Sequence, residues 1–319
     1  MAYTGTGDVS SDTAAFQQLA YFAFRSQPMY EMIADVRSTA QTHNGASVQF
    51  NIYDNMAQAT SALTETSDVT AVALGDSTVV VTLAEYGNAV ITTAKLRGTS
   101  FLNVDADAAN IIGYNMVDSI DKLVSNVANG GTNVIYAQGS MGSRPTSRVG
   151  IADAATFGAQ EGRQAVAELR TASAPGFENG NYIGLVHPDV SYDLREQTAV
   201  TDVIQYQIRQ EGAAVRNGSI GVFGGIEWIE NPRAPILDDA GATGTTNVYQ
   251  TLVAGRQALA KAFSRAPGFG EDPSVVFGPV TDTLRRFHPV GWYHLVGHAI
   301  FRQAALQRIE SSSSIGDNT

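Results

Sequence analysis

A chain of 319 residues that is 44% hydrophobic can build about two domains with a sizeable core, yet only 16% of it is charged, against ~25% in ordinary soluble proteins. The net charge of −11 argues against a sequence-reading nucleic-acid protein, which carries a basic face to neutralise phosphates, although an acidic inner wall would suit a container for DNA. The absence of cysteine excludes disulfides and thiolate metal sites. A polar start without a secretory pattern, and no run near ~18 apolar residues, lead us to expect a soluble protein made in a cytoplasm, with no membrane contact. Sparse charge beside ample apolar content implies a covered surface, most simply covered by further copies of the chain.

The first 45 residues read as an arm. Asp12 can cap a short helix with Phe16, Leu19, Ala20 and Ala23 near one face; Pro28 interrupts it, and Tyr30 to Val36 is a second apolar patch. An arm carrying Phe16, Tyr21, Phe22, Phe24 and Tyr30 needs another surface to lie on. From Ser47 to Leu96 the pattern is that of strands: Val48, Phe50 and Ile52 alternate with polar residues, then Val79, Val81 and Leu83, followed by Val90 and Ile91. These runs flank a Thr/Ala/Ser-rich excursion, Asn55 to Asp68, so they form an extended antiparallel hairpin with little core of its own.

Ile112, Met116, Ile120, Leu123, Val124 and Val127 form one apolar stripe, which predicts a helix over 105–128. Asn103 or Asp105 caps it, Asp107 suits its positive end, and Gly130-Gly131 ends it after about 36 Å. Residues 129–150 read as a Gly/Ser/Arg loop, and helical spacing returns from Ala154 to Ala172. Tyr182 to Val186 is a strand stopped by His187-Pro188, and Asp189 caps a short helix through Leu194. Val200 to Arg209 reads as a helix. Ile226–Ile229, Val248–Ala254, Val275–Val280, Thr283–Arg286 and Val290–Phe301 read as strands, the last two separated by His288-Pro289. The tail from Ser311 to Thr319 reads as loose. There is no internal repeat, and the fold class is α+β.

No catalytic set emerges. Gly75-Asp76-Ser77 has the lettering of an esterase nucleophile block, but no late histidine has an aspartate three residues before it, so Ser77 lacks a base and reads as part of a turn. His294 and His298 are four apart with His288 nearby, but Gly291 and Gly297 break a helix there and no carboxylate completes a zinc set, so burial or an interface is the better expectation. The glycine clusters Gly5–Gly7, Gly139–Gly142, Gly218–Gly225 and Gly268–Gly270 lack the residues of a phosphate loop or dinucleotide fingerprint and read as turns. Asp105/Asp107 and Asp238/Asp239 lack the further oxygens of a calcium loop. The expectation is no catalytic, cofactor or metal site. Seventeen arginines against three lysines (Lys95, Lys122, Lys261) suit bidentate ion pairs at subunit contacts.

Local strings resemble the major capsid proteins of tailed bacteriophages, of actinobacterial phage type, with the Hong Kong 97-like fold. They are Leu83-Ala84-Glu85-Tyr86-Gly87-Asn88-Ala89-Val90 leading into Thr93, the helix Asp107 to Val127, Gly184-Leu185-Val186-His187-Pro188-Asp189-Val190 followed by Asp193-Leu194-Arg195, Gly221 to Pro232, and Gly291-Trp292 through Arg308-Ile309-Glu310. The resemblance spans about residues 10–312 and lies in the order of the strings. It implies an N-terminal arm (1–45), an extended β-hairpin loop over a neighbouring subunit (46–98), a peripheral domain (99–150 and 266–297) with a spine helix (105–128), and an axial domain (151–265 and 298–319). It further implies self-assembly into hexamers and pentamers of an icosahedral or prolate virion shell around double-stranded DNA, bound without sequence specificity, in the bacterial cytoplasm. A portal, a maturation protease and decoration proteins are partners it allows. Lys95, at the base of the loop, is poorly placed for the covalent cross-link of some members, and with no charged helical leader a separate scaffolding protein is expected. A decoration or tail subunit, or a hydrolase with an unrecognised site, stands as the alternative.

Overall fold

The computed structural model describes residues 27–36, 45–100 (except 67 and 70), 104–177, 180–196, 219–265, 270–279 and 282–315. In chain order a 3-10 turn (Tyr30–Ile33) leads into β1 (Ala34–Val36), β2 (Ser47–Tyr53), β3 (Asp76–Thr82), β4 (Ala84–Thr93), α1 (Ala94–Thr99), α2 (Val104–Ala128), β5 (Val134–Tyr136) and α3 (Ala159–Thr171). There follow β6 (Tyr182–Val186), α4 (Pro188–Glu196), β7 (Ser219–Phe223), β8 (Ile226–Glu230), β9 (Ile236–Leu237), β10 (Val248–Ala254), β11 (Leu259–Phe263), β12 (Ser274–Phe277), β13 (Phe287–Ile300) and β14 (Leu306–Ser311). The described residues fall into two compact units, 87–116 with 274–293, and 27–86 with 117–273 and 294–315.

In the larger unit the main sheet has the order β5-β14-β10-β6-β8-β7, with β9 on β10. Every residue of β6 and β10 is buried, as expected of strands covered on both faces, which carry continuous apolar runs. On one face Tyr182, Val186, Tyr249 and Val253 meet Ala165, Val166 and Leu169 of α3 and Val190 and Leu194 of α4. On the other, Ile183, Leu185 and Leu252 meet Val124 and Ala128 of α2 together with Tyr30 and Ile33. Fully burying an apolar side chain of this size contributes roughly 1.5–3 kcal/mol, so Tyr30 and Ile33 help to hold their segment to the sheet. In the same unit β1 pairs in parallel with β11, and β11 pairs with residues 296–300 of β13. The root of the β2–β3 ribbon packs there, Val48, Val81 and Leu83 against Ala260 and Ala262, with Phe50 edge-on to Phe301. Gly297 permits this approach, since a Cβ there would lie 2.3 Å from the Thr82 carbonyl oxygen.

Several expectations change. Residues 129–150 are not all loop: Val134–Tyr136 forms β5, parallel to β14. The rest of that stretch is fastened by arginines, Arg144 to the buried Glu161 (3.4 Å) and Arg148 to the fully buried Glu310 (2.6 and 2.9 Å). α3 begins at Ala159, not Ala154, because the Glu161 carboxylate accepts the Gly158 N–H (3.1 Å) and caps the helix. α4 is capped by His187, whose Nδ1 accepts the Asp189 N–H (3.2 Å); Pro188 occupies the first turn, where its missing N–H costs nothing, and Asp189 lies inside the helix. Gly218–Gly225 is not simply a turn: β7 and β8 form a hairpin around Gly224 and Gly225, both at positive φ. The tail is not loose through Ser314. Ser311, Ser312 and Ser313 are buried, Ser312 donates to the Asp153 carbonyl (2.9 Å), and Ser314 N–H donates to Asp193 (3.1 Å).

In the smaller unit β13 runs through Pro289, whose carbonyl accepts the Gly278 N–H (3.1 Å), so its missing donor is not needed there. Thr283 to Arg286 is a turn and not a strand: Asp282 Oδ1 accepts the Leu284 N–H (2.7 Å), and its Oδ2 the Arg286 guanidinium (2.8 Å). These contacts hold the Asp282 carboxyl below the usual carboxylate range, the Leu284 bond foremost. α1, β9, β11 and β14 are not among the elements expected from sequence, and the helices expected from Asp12 and over Val200–Arg209 lie outside the described residues.

Two substitutions test this packing by urea unfolding and limited proteolysis. Glu310→Ala, which leaves the largely buried Arg308 and the partly exposed Arg148 without their shared carboxylate, should cost about 3–5 kcal/mol, and Arg148→Ala less, because Arg308 and Gln250 still reach Glu310. Equal losses would contradict Glu310 as the centre of that network. Gly297→Val should detach the ribbon root and open residues 47–82 to protease while α3 stays protected.

Candidate assembly surface

Among the described residues, the root of the ribbon is the part that is packed against the rest of the chain. Beyond it Tyr53 is 71% exposed, Leu63 78% and Leu74 69%, with Met56, Val69 and Val72 also exposed. In water this apolar area is unfavourable at about 25 cal/mol per Å², so covering it with another macromolecule would be favourable. The segment from Asp54 to Asp76 carries four carboxylates and no basic residue.

The smaller unit is built around β13. Trp292 is buried and its indole N–H donates to Asn115 of α2 (3.1 Å). Thr92 donates to Asp105 (3.1 Å), which is paired with Arg97 (2.8 Å), and the Ala94 N–H donates to the Arg286 carbonyl (2.8 Å). Gly87, Ala89, Val276, Pro289, Gly291 and Tyr293 line a shallow groove of about 500 Å³, and Ile91, Phe277 and Leu284 are exposed in the same unit.

Among the described residues, the groups weighed from sequence lie apart or are engaged with one another. Ser77 is an exposed ladder residue opposite Ile52. Asp105 is taken up by Arg97 and Thr92, and Asp239 lies in a loop with its N–H on Asn247 (2.9 Å). Among the described residues no group of three or more His, Asp or Glu is disposed to hold a metal ion. His294 is buried and His298 partly buried, as expected, and in both the Nε2 atom is enclosed with no hydrogen-bond partner among the described residues. Burial lowers both imidazoles, His298 to about 4, with Lys261 acting in the same sense. Sequence reasoning missed Glu31, which pairs with the buried Lys261 from 230 residues away. Seven arginines are spent inside the chain: Arg97, Arg144, Arg148, Arg195, Arg233, Arg286 and Arg308 all pair with its own carboxylates.

The profile of a family described as phage capsid protein matches residues 6–310. No curated protein matches by sequence. Among solved structures, the capsid of Ralstonia phage GP4 superposes with a TM-score of 0.77 at 15% identity, covering 99% of each chain. The head of Helicobacter pylori bacteriophage KHP40 gives 0.72 at 13% identity over 98% of this chain and 99% of that one. A structure described as Mycobacterium phage Che8 gives 0.64 at 13% identity over 94% and 97%. With the fold matched end to end and the family profile spanning nearly all of the sequence, this chain belongs to the phage capsid protein family, as a shell-forming virion protein with the Hong Kong 97-like fold.

Proposed function

We propose that the chain forms hexamers and pentamers of an icosahedral or prolate shell around packaged double-stranded DNA, and that residues 46–98 are the loop that reaches over an adjacent subunit. The observation that carries this reading is the exposed apolar row from Tyr53 to Leu74 beyond an anchored root. A rigid base with an apolar, acidic tip suits contact with a neighbour better than a solvent-facing role. In the same reading 1–45 is the arm, 99–150 with 266–297 the peripheral domain with 105–128 as its spine, and 151–265 with 298–319 the axial domain. The uninterrupted helix α2, Val104–Ala128, supports the spine of that division.

The role is structural, with no catalysis of its own. Net charge of −11 suits a wall that contains DNA without reading it. Assembly takes place in the bacterial cytoplasm with a separate scaffolding protein, and a portal, a maturation protease and decoration proteins are the partners that such a shell calls for.

Negative-stain microscopy tests the ribbon. The triple variant Met56→Ser, Leu63→Ser, Leu74→Ser changes exposed side chains only, so subunits should keep their circular dichroism and unfolding midpoint yet give no closed shells under conditions where the parent chain does. Shells of normal size from the variant would refute the assignment. Expressed without any helper, the parent chain should give irregular products, and regular shells would refute the separate scaffold.

A further inference from the structure

One cluster in the larger unit serves no purpose in the packing described above. Lys261, in the middle of β11, is 3% exposed, and its ammonium is paired with Glu31 of the 3-10 turn. Directly across the ladder from Lys261 stands His298 of β13, and His294 lies four residues earlier on the same strand face. The groups facing the two rings are Lys261 from β11, Glu31 from the turn, each ring from the other, and Asp272 from the turn that precedes β12. The Glu31 segment is otherwise held by a three-residue parallel pairing of β1 with β11, by the Tyr30 N–H on Asp121 (2.7 Å) and by the buried Tyr30 and Ile33 side chains.

A buried ammonium with one carboxylate is balanced. Two imidazoles beside it leave that balance intact only while they are neutral, because each protonation adds a cation to a row that offers Glu31 and, facing His294, Asp272. We propose that this row is an acid-operated latch: neutral histidines keep Lys261 and Glu31 paired, and their protonation releases the Tyr30–Val36 segment from β11. Release exposes both rings and the ammonium to water, and frees the point at which the residues preceding Tyr30 are attached to the sheet.

The sign follows from linkage. A histidine whose value is lowered by the closed structure takes up its proton more readily in the open one, so closure is fully favoured above about pH 6.5 and is lost as pH falls toward 4. For His298 alone the closed-to-open ratio should fall about thirty-fold at pH 5 relative to pH 7.5.

Amide hydrogen exchange on the full chain, corrected for the intrinsic pH dependence of exchange, reads this directly. Peptides covering 30–36 should lose protection by about thirty-fold or more between pH 7.5 and pH 5, while β10 does not change. The double variant His294→Gln, His298→Gln should keep the segment closed at pH 5. Glu31→Gln, at a partly exposed position, should open it already at pH 7.5. Unchanged protection of 30–36 in the parent chain, the same loss in the double variant, or a closed segment in Glu31→Gln would each overturn the latch.

Discussion

Two strands and a twenty-odd-residue excursion cannot bury their own apolar side chains, and much of this molecule's design answers that constraint. A two-stranded ribbon is marginal alone, because its single layer leaves both faces wet. The chain anchors its root by threading Val48, Val81 and Leu83 onto Ala260 and Ala262, where small residues let the ribbon lie close. Covering the tip would require a second layer that the described residues do not supply. A protein that lives as one of many copies can leave that layer to a neighbour, and a low charge fraction is what such a surface looks like in composition.

The same economy shows in the charges. Arginine suits contacts between subunits, yet here seven arginines pair with carboxylates of their own subunit, and Arg148 fastens the 138–150 stretch to β14. Glu310 and Glu161 are the fixed points; each is buried, and each accepts from arginines of the 138–150 stretch as well as from nearer partners. Removing one member of such a network leaves an uncompensated charge in a region of low dielectric, whereas the intact network contributes little beyond an apolar filling of the same volume. Its value is in fixing one conformation of a glycine-rich stretch that lacks regular structure of its own.

What was legible in the sequence was whatever periodicity or continuous apolarity writes down. α2, β6 and β10, and the alternating β2 and β3, are of that kind, and their residue ranges follow the pattern closely. Two of the missed strands, β11 and β14, share a different trait: some of their buried positions carry residue types that signal the surface. β11 reads Leu-Ala-Lys-Ala-Phe, and β14 contains Gln307, Glu310 and Ser311, all buried. Each is admitted by a partner distant in sequence, Glu31 for Lys261 and Arg148 for Glu310, and no local window contains that information. Pro289 misled for a related reason, since whether a proline breaks a strand depends on which of its backbone groups the neighbour uses.

The candidate surfaces were harder to read than the fold, and in an instructive way. The apolar residues of the ribbon tip, Met56, Leu63 and Leu74, are spaced without strand or helix period, so the sequence alone identifies a polar excursion with scattered hydrophobics. Their meaning depends on exposure, and exposure depends on the absence of any element folding back over them. The histidines are the opposite case. Their spacing on β13 was visible, and a buried role was the natural expectation, but the ammonium across the ladder and the carboxylate that answers it come from β11 and from the turn before β1. A titratable group becomes a switch only when its protonation alters the balance of charges already enclosed with it. That balance is a property of the packed strands and not of any one of them.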